Sequence, residues 1–291
     1  MRVAFVDKKG VELSVEYKSL KVDEQKIPLR LLDTVVFGSS CILKSNDILK
    51  MTKEGISLLI MSQKSDNMAI VFSAKSKSAE LKMEQYLAQK KALAIAKHFI
   101  AQKVERHTQH LLSHDILLDT SKVLSNIEKA KSTQRLLGIE GSFSNQYFRQ
   151  YFKLFPKKLH LGKRSKQPPL DPVNAMLSFF YMVVYNLITV RLLSVGFEPS
   201  IGFMHQAFRS HNALASDFME LFRADINEFV FGLFNRELLK KSDFTSKNGV
   251  YLRYDSRRKV WGYFKPFNEK LQKKLDKEIT TFREMIKENN G

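Results

Sequence analysis

The sequence predicts an α+β protein, with a small sandwich-like β-sheet domain at the N-terminus and a larger, mostly α-helical domain after it. Three observations carry this. Short runs rich in Val, Ile and Phe alternate with turn residues up to about residue 75; apolar residues recur at helical spacing beyond it; and 291 residues suit two domains better than one. The expected division is 1–75 for the β domain, 76–85 for a connector and 86–291 for the helical domain.

The predicted strands are "RVAFVD", "VELSVEY", "KIPLRLLDTVVFG", "SLLIMS" and "MAIVFSA", interrupted by "SNDILKMTKEG" as a short helix with a Ser cap and a Gly stop. The stretch "SAKSKSAELKMEQ" then leads into one long amphipathic helix or two, ending near "HTQHLL". Near the C-terminus "GVYLRYDSRRKVWGYF" reads as a β-hairpin, and "KPFNEKLQKKLDKEITTFREMIKENN" as a charged amphipathic helix with a frayed tail.

The run from Val173 to Leu193 is apolar nearly all round, with Asp171 placed to cap it and Pro172 at its first position, so it should be a central buried helix. Its polar exceptions, Asn174, Ser178, Tyr181 and Tyr185, share one stripe. Buried amides and hydroxyls need partners, so the stripe lines a wet pocket or pairs with a neighbouring helix. Length alone would allow a membrane span, but Asn186, Arg191 and the polar stripe would be costly in hydrocarbon.

Asp217 and Glu220 lie about 60° apart on a helical wheel. Acidic pairs at this spacing are common on solvated faces, yet this stripe also carries Ala213, Ala224 and Phe231. Glu140 shares a face with Phe143, Tyr147, Tyr151 and Phe155, where a carboxylate needs a partner: a metal, or a Lys or Arg in a structural ion pair. "GFEPSIGFMH" is a turn that delivers His205 ahead of the Asp217 helix, as a ligand or as a structural histidine. Carboxylates and an imidazole at this density point to a divalent cation.

Lys and Arg outnumber Asp and Glu by 48 to 30, a net charge of +18, and residues 1–75 hold only 12 of the basic and 9 of the acidic residues. The positive field therefore belongs to the C-terminal part and favours a polyanion, most simply nucleic acid. In the loop "FPKKLHLGKRSKQPP", Lys157, Lys158, Lys163, Arg164 and Lys166 are candidate phosphate contacts. Arg223 is another, unless it pairs with Glu220 or Asp225. A single cysteine, Cys41, excludes an internal disulfide, and "MRVAFVDKKG" has no secretion-signal character; both suit the cytoplasm.

The blocks "LLGIEGSFSNQYFRQYF", "PPLDPVNAMLSFFYMVVYNLI", "GFEPSIGFMH" and "LASDFMELFRADI", in this order and with these gaps, closely resemble the signature blocks of the CRISPR-associated integrase family, Cas1. The resemblance implies metal ligands at Glu140, His205 and Glu220, with Asp217 on the neighbouring acidic position and the closer of the two acids left open. It places Asn174 and Tyr181 near the pocket, which Ser178 on the same polar stripe would also line, and matches Arg223 to the Arg that follows the acidic pair. It further implies Mg²⁺ or Mn²⁺ as cofactor, and transfer of a protospacer 3′-hydroxyl into the CRISPR repeat in a prokaryotic cytoplasm. Homodimers formed through the N-terminal domain, two of them bridged by Cas2 on DNA, are part of the same implication. Two other readings stay open: a basic DNA-binding scaffold with a structural acidic cluster, and a metal nuclease that does not integrate.

Overall fold

In the computed structural model the described residues are 1–62, 67–73, 79–205 and 211–287. Eight strands and one helix make the N-terminal part: β1 (Val3–Val6), β2 (Val11–Glu16), β3 (Ser19–Val22), β4 (Gln25–Pro28), β5 (Thr34–Phe37), β6 (Cys41–Leu43), α1 (Ser45–Lys53), β7 (Ser57–Met61) and β8 (Met68–Val71). They form two four-stranded sheets, in the orders β1-β5-β7-β8 and β4-β3-β2-β6. The first is parallel except for β8, and the second antiparallel except for the β2–β6 pair.

One predicted segment divides and two strands are added. "KIPLRLLDTVVFG" breaks into β4 and β5 at a 3₁₀ turn over Leu29–Leu31, and β3 and β6 are additional. The β2–β3 turn places Tyr17 and Lys18 at φ 47° and 57°, a left-handed geometry that Gly or Asn would have signalled and these residues do not. Ser45 lies inside α1, which Lys44 precedes without a side-chain cap, while Gly55 at φ 79° ends the helix as expected.

The first sheet is buried on both faces, which is why β5 reads as an unbroken apolar run. Val35, Phe37 and Leu58 join the core between the two sheets, whereas Val36, Leu59 and Met61, on the opposite side of the pleat, join the core of the helical part. One sheet therefore serves two cores.

The helical part comprises α2 (Ala79–Leu87), α3 (Ala92–Leu112), α4 (Ser121–Lys129), α5 (Thr133–Tyr151), α6 (Pro172–Val195), α7 (Ala213–Glu220), α8 (Arg223–Asn235), a hairpin of β9 (Phe244–Ser246) and β10 (Val250–Leu252), and α9 (Tyr254–Lys287). Residues 76–78 of the expected connector lie outside the described residues, and the rest of it is already helical from Ala79. The expected long helix is two, α2 and α3, joined by a 3₁₀ turn. The frayed tail, residues 288–291, also lies outside the described residues.

Helix α6 follows the sequence closely. Asp171 accepts the Asn174 amide at 2.7 Å, Pro172 occupies the first turn, and Gly196 closes the helix at φ 102°. It is apolar and long enough to cross a membrane by composition, but 67% of its apolar window is buried within the fold, as befits the core helix of the domain.

The C-terminal hairpin lies earlier than its prediction. Asn248 and Gly249, both at positive φ, turn the chain between β9 and β10, and "YDSRRKVWGYF" begins α9, which continues through Pro266. Aromatic packing outweighs the proline: Trp261 stacks on Phe5 at 4.6 Å and Phe264 stacks on Phe180 at 5.1 Å. Trp261 Nε1 also donates to Asp7 Oδ2 at 2.9 Å, and the Tyr254 hydroxyl donates to the Asp7 carbonyl at 3.1 Å. These contacts join the N-terminal sheet to α9. Trp261→Ala should cost about 2–4 kcal/mol, read as a lowered midpoint in denaturant unfolding; an unchanged midpoint would show that the two parts are held together elsewhere.

Candidate active site

Four charged side chains meet where α3, α5 and the α7–α8 junction come together. Lys103 is 1% exposed and its ammonium bridges two carboxylates, Glu140 on α5 and Glu220 at the end of α7, the latter at 2.5 Å. Arg223 grips Glu220 from the other side, its Nε 2.9 Å from both carboxylate oxygens. Glu140 also accepts the Ser144 hydroxyl at 2.7 Å.

The charges balance, two positive against two negative, which is what makes their burial tolerable. Burial alone would push the Glu220 carboxyl up. The Arg223 and Lys103 charges outweigh it and hold the group well below the usual carboxylate range. For Arg223 burial acts to lower the pKa, but Glu220 keeps the guanidinium firmly protonated. His107, one turn from Lys103, is driven well below its ordinary value by burial and then by the Lys103 charge, so it is neutral.

Asp217 does a different job from Glu220. It is completely buried, and its Oδ2 accepts the backbone amides of Phe203 at 2.6 Å and Met204 at 3.1 Å. Its Oδ1 accepts the His205 amide at 3.0 Å and pairs with His205 Nδ1 at 2.7 Å. The carboxylate thus fastens the incoming turn and fixes the imidazole with its proton on Nδ1, leaving Nε2 as a lone-pair donor. Gly202 makes the approach possible: a Cβ there would stand 2.7 Å from the Ala213 carbonyl carbon and 2.9 Å from Asp217 Oδ2.

Glu140 and Glu220 are therefore brought together by Lys103, and His205 is brought to Asp217. The ligand atoms of Glu140, His205 and Glu220 do not converge on one point. Among the described residues the one three-ligand group with all atoms within 4.8 Å is His110, His114 and Glu228. The Lys103 ammonium stands between the Glu140 and Glu220 carboxylates, while His205 is held by Asp217.

The polar stripe of α6 is satisfied mainly by the basic loop. Asn174 accepts from Arg164 at 2.9 Å and from the Ser165 amide at 3.1 Å, and Ser178 accepts from Arg164 at 3.0 Å. Tyr181 donates to Asn227 Oδ1 at 2.5 Å, and its ring lies 4.6 Å from the Arg223 guanidinium carbon and 5.5 Å from that of Arg164. Arg164 and Arg223, expected on phosphates, thus make internal contacts, and Asp225 is paired with Lys274 instead of Arg223. Lys157, Lys158, Lys163 and Lys166 are exposed. Lys166 stands close enough to the cluster that desolvation of its ammonium, then Arg223 and Arg164, lower its pKa.

Lys103 was missed by sequence reasoning, although a signal existed. It sits on the buried face of α3 with Phe99, Ile100, Val104 and His107, and a lysine on an apolar stripe requires an anion. Asn227, which joins Tyr181 to Tyr147 across α8, carried no comparable signal.

The family model described as CRISPR associated protein Cas1 matches residues 2–265. A relative from Thermodesulfovibrio yellowstonii, named CRISPR-associated endonuclease Cas1 1, is 31% identical in an alignment that covers 90% of this chain and 89% of the relative. The chain belongs to the Cas1 family. The Cas1 resemblance of the signature blocks is thereby borne out. Solved structures share the fold. A Cas1 protein from Thermotoga maritima superposes with a TM-score of 0.89 at 16% identity, covering 98% of this chain and 97% of the other. A casposase bound to integration product gives 0.80 at 23%, covering 92% and 82%. The Cas6-RT-Cas1 chain of a complex with Cas2 gives 0.72 at 24%, covering 91% and 32%.

The Lys103 bridge can be tested by a double-mutant cycle. Lys103→Met should cost about 3–5 kcal/mol without divalent ions, because it leaves Glu140 short of its partner. Adding Glu140→Gln should return part of that loss, as a coupling energy of about 1 kcal/mol or more in denaturant unfolding. Strict additivity would mean that the two groups do not interact.

Proposed function

We propose that this chain joins protospacer 3′-hydroxyl ends into a CRISPR repeat by metal-dependent transesterification, and that endonuclease cleavage draws on the same groups. The observation that carries this reading is the capture of His205 Nδ1 by a buried carboxylate, Asp217, close in sequence to a second carboxylate, Glu220, that shares one ammonium with Glu140. An oriented imidazole with a free Nε2 and two carboxylates is a donor set for Mg²⁺ or Mn²⁺. Glu140, His205 and Glu220 would hold the ion, and Asp217 would position His205 and not act as a ligand itself.

When bound there, the ion supplies a Lewis acid that stabilises charge on the phosphoryl oxygens. The chain's own groups do the rest. Arg223 holds Glu220 in its ionised form, and Arg223 and Lys166 add positive charge beside the site, where an anionic backbone would lie. The attacking 3′ oxygen forms a bond to phosphorus as the bond to the repeat's own 3′ oxygen breaks; the first oxygen loses a proton and the departing one gains one. No net hydrolysis is needed.

The exposed Lys157, Lys158, Lys163 and Lys166 and the net charge of +18 support DNA as the substrate. We assign residues 1–75 to homodimerisation, 76–85 to the connector and 86–291 to catalysis. Two dimers bridged by Cas2 supply one reacting centre for each protospacer end, in the cytoplasm of a prokaryote.

The test supplies a labelled 3′-hydroxyl duplex and a supercoiled repeat plasmid, with and without Cas2, in Mg²⁺ or Mn²⁺. Wild type should move label into the plasmid, and Glu140→Ala and His205→Ala should each lose at least about 100-fold of that rate while retaining DNA binding. Binding without transfer by the wild type would favour a scaffold, and cleavage without joining a plain nuclease.

A further inference from the structure

Away from the Glu140–Glu220 cluster, α3 and α8 bring together a second set of donors. His110 lies in the last turn of α3 and His114 in the turn that follows, four residues apart and so on one side of the helix. Glu228 reaches them from α8. Its Oε2 is 2.7 Å from His114 Nε2 and 3.1 Å from His110 Nε2, and the three ligand atoms all lie within 4.8 Å of one another. We propose that His110, His114 and Glu228 form a metal site for a divalent transition ion of the Zn²⁺ class, clamping α3 to α8.

Three features favour a cation over a plain ion pair. First, the side chain of His110 is 5% exposed, yet its Nε2 is buried without an aligned hydrogen-bond partner. Glu228 satisfies His114 and leaves that nitrogen unmet, whereas a cation would satisfy all three groups. Second, the spacing is right: donors about 2.0–2.2 Å from a tetrahedral Zn²⁺ stand about 3.3 Å from each other. Two imidazole nitrogens and one carboxylate oxygen select a transition ion over Mg²⁺.

Third, the other nitrogen of His110 is already held, as ligating histidines require. Nδ1 and the Tyr147 hydroxyl are 2.9 Å apart; Asn227 Nδ2 donates to that hydroxyl at 2.9 Å; and Tyr181 donates to Asn227 Oδ1. Turning the Asn227 amide end for end reverses this chain without losing a bond, so it accommodates the Nδ1–H tautomer that a metal on Nε2 demands. Tyr181, at the far end, packs against the guanidinium that grips Glu220. Phe231 covers His114 at 4.7 Å, while the half-exposed Glu228 leaves a route for the ion and room for a water as fourth ligand.

The chelator-treated full chain is titrated with Co²⁺, followed by its visible absorption, and separately with Zn²⁺, followed by its melting temperature. The expected result is one four-coordinate Co²⁺ per chain that Zn²⁺ displaces, retained when Glu140→Ala and His205→Ala are combined. His114→Ala and Glu228→Gln, at partly exposed positions that leave the fold intact, should each weaken binding at least about tenfold and abolish the Zn²⁺-dependent rise in melting temperature. Co²⁺ binding unaffected by both substitutions, or no four-coordinate spectrum in the wild type, would overturn the proposal and leave the cluster as an ion pair.

Discussion

The buried ammonium of Lys103 is the contact on which the rest of the site depends. Among the described residues it is the one group that touches carboxylates from two different helices, and it does so from a third. Without it Glu140 and Glu220 would face each other with no cation between them, and α3, α5 and α7 would lose the one ion-pair bridge among the described residues that joins all three. Arg223 completes the neutralisation, and the face of Tyr181 supports Arg223. The ammonium supplies positive charge between the carboxylates, and under the proposed function a divalent cation would take over that part.

A second constraint sets the imidazole. Asp217 and Glu220 differ by one helical turn and one methylene, but the fold gives them separate tasks. Asp217 faces the turn after Gly202 and spends both oxygens on three amides and the His205 ring, while Glu220 faces α3. A shorter acid suits the first position because the turn passes so close that only glycine fits at 202. The longer acid suits the second because it must span to Lys103 and Arg223.

Much of this was legible in the residues. The signature blocks singled out Glu140, His205, Asp217 and Glu220 as candidates, and capping chemistry placed the start of α6. What failed did so for physical reasons. β3 and its turns depend on Tyr17, Lys18 and Asp23 in left-handed conformations that their side chains do not advertise. The basic loop looked uniformly like a phosphate-binding surface, but the hydrogen bonds that Arg164 donates to Asn174 and Ser178 draw it inward. The hairpin was placed too late because the aromatic residues of "YDSRRKVWGYF" suit a strand as well as a helix, and only packing on Phe5 and Phe180 decides between them. That Asp217 holds the turn and the His205 ring while Glu220 faces Lys103 and Arg223 is a matter of distances, which no spacing supplies.

The most direct test of the central claim is anomalous diffraction from crystals grown with Mn²⁺ and a DNA end. The account predicts a peak bonded to Glu140, Glu220 and His205 Nε2, with Asp217 still on Nδ1 and Lys103 moved off the carboxylates. A peak ligated by Asp217 in place of Glu220, or no peak at this cluster while one stands elsewhere, would contradict it.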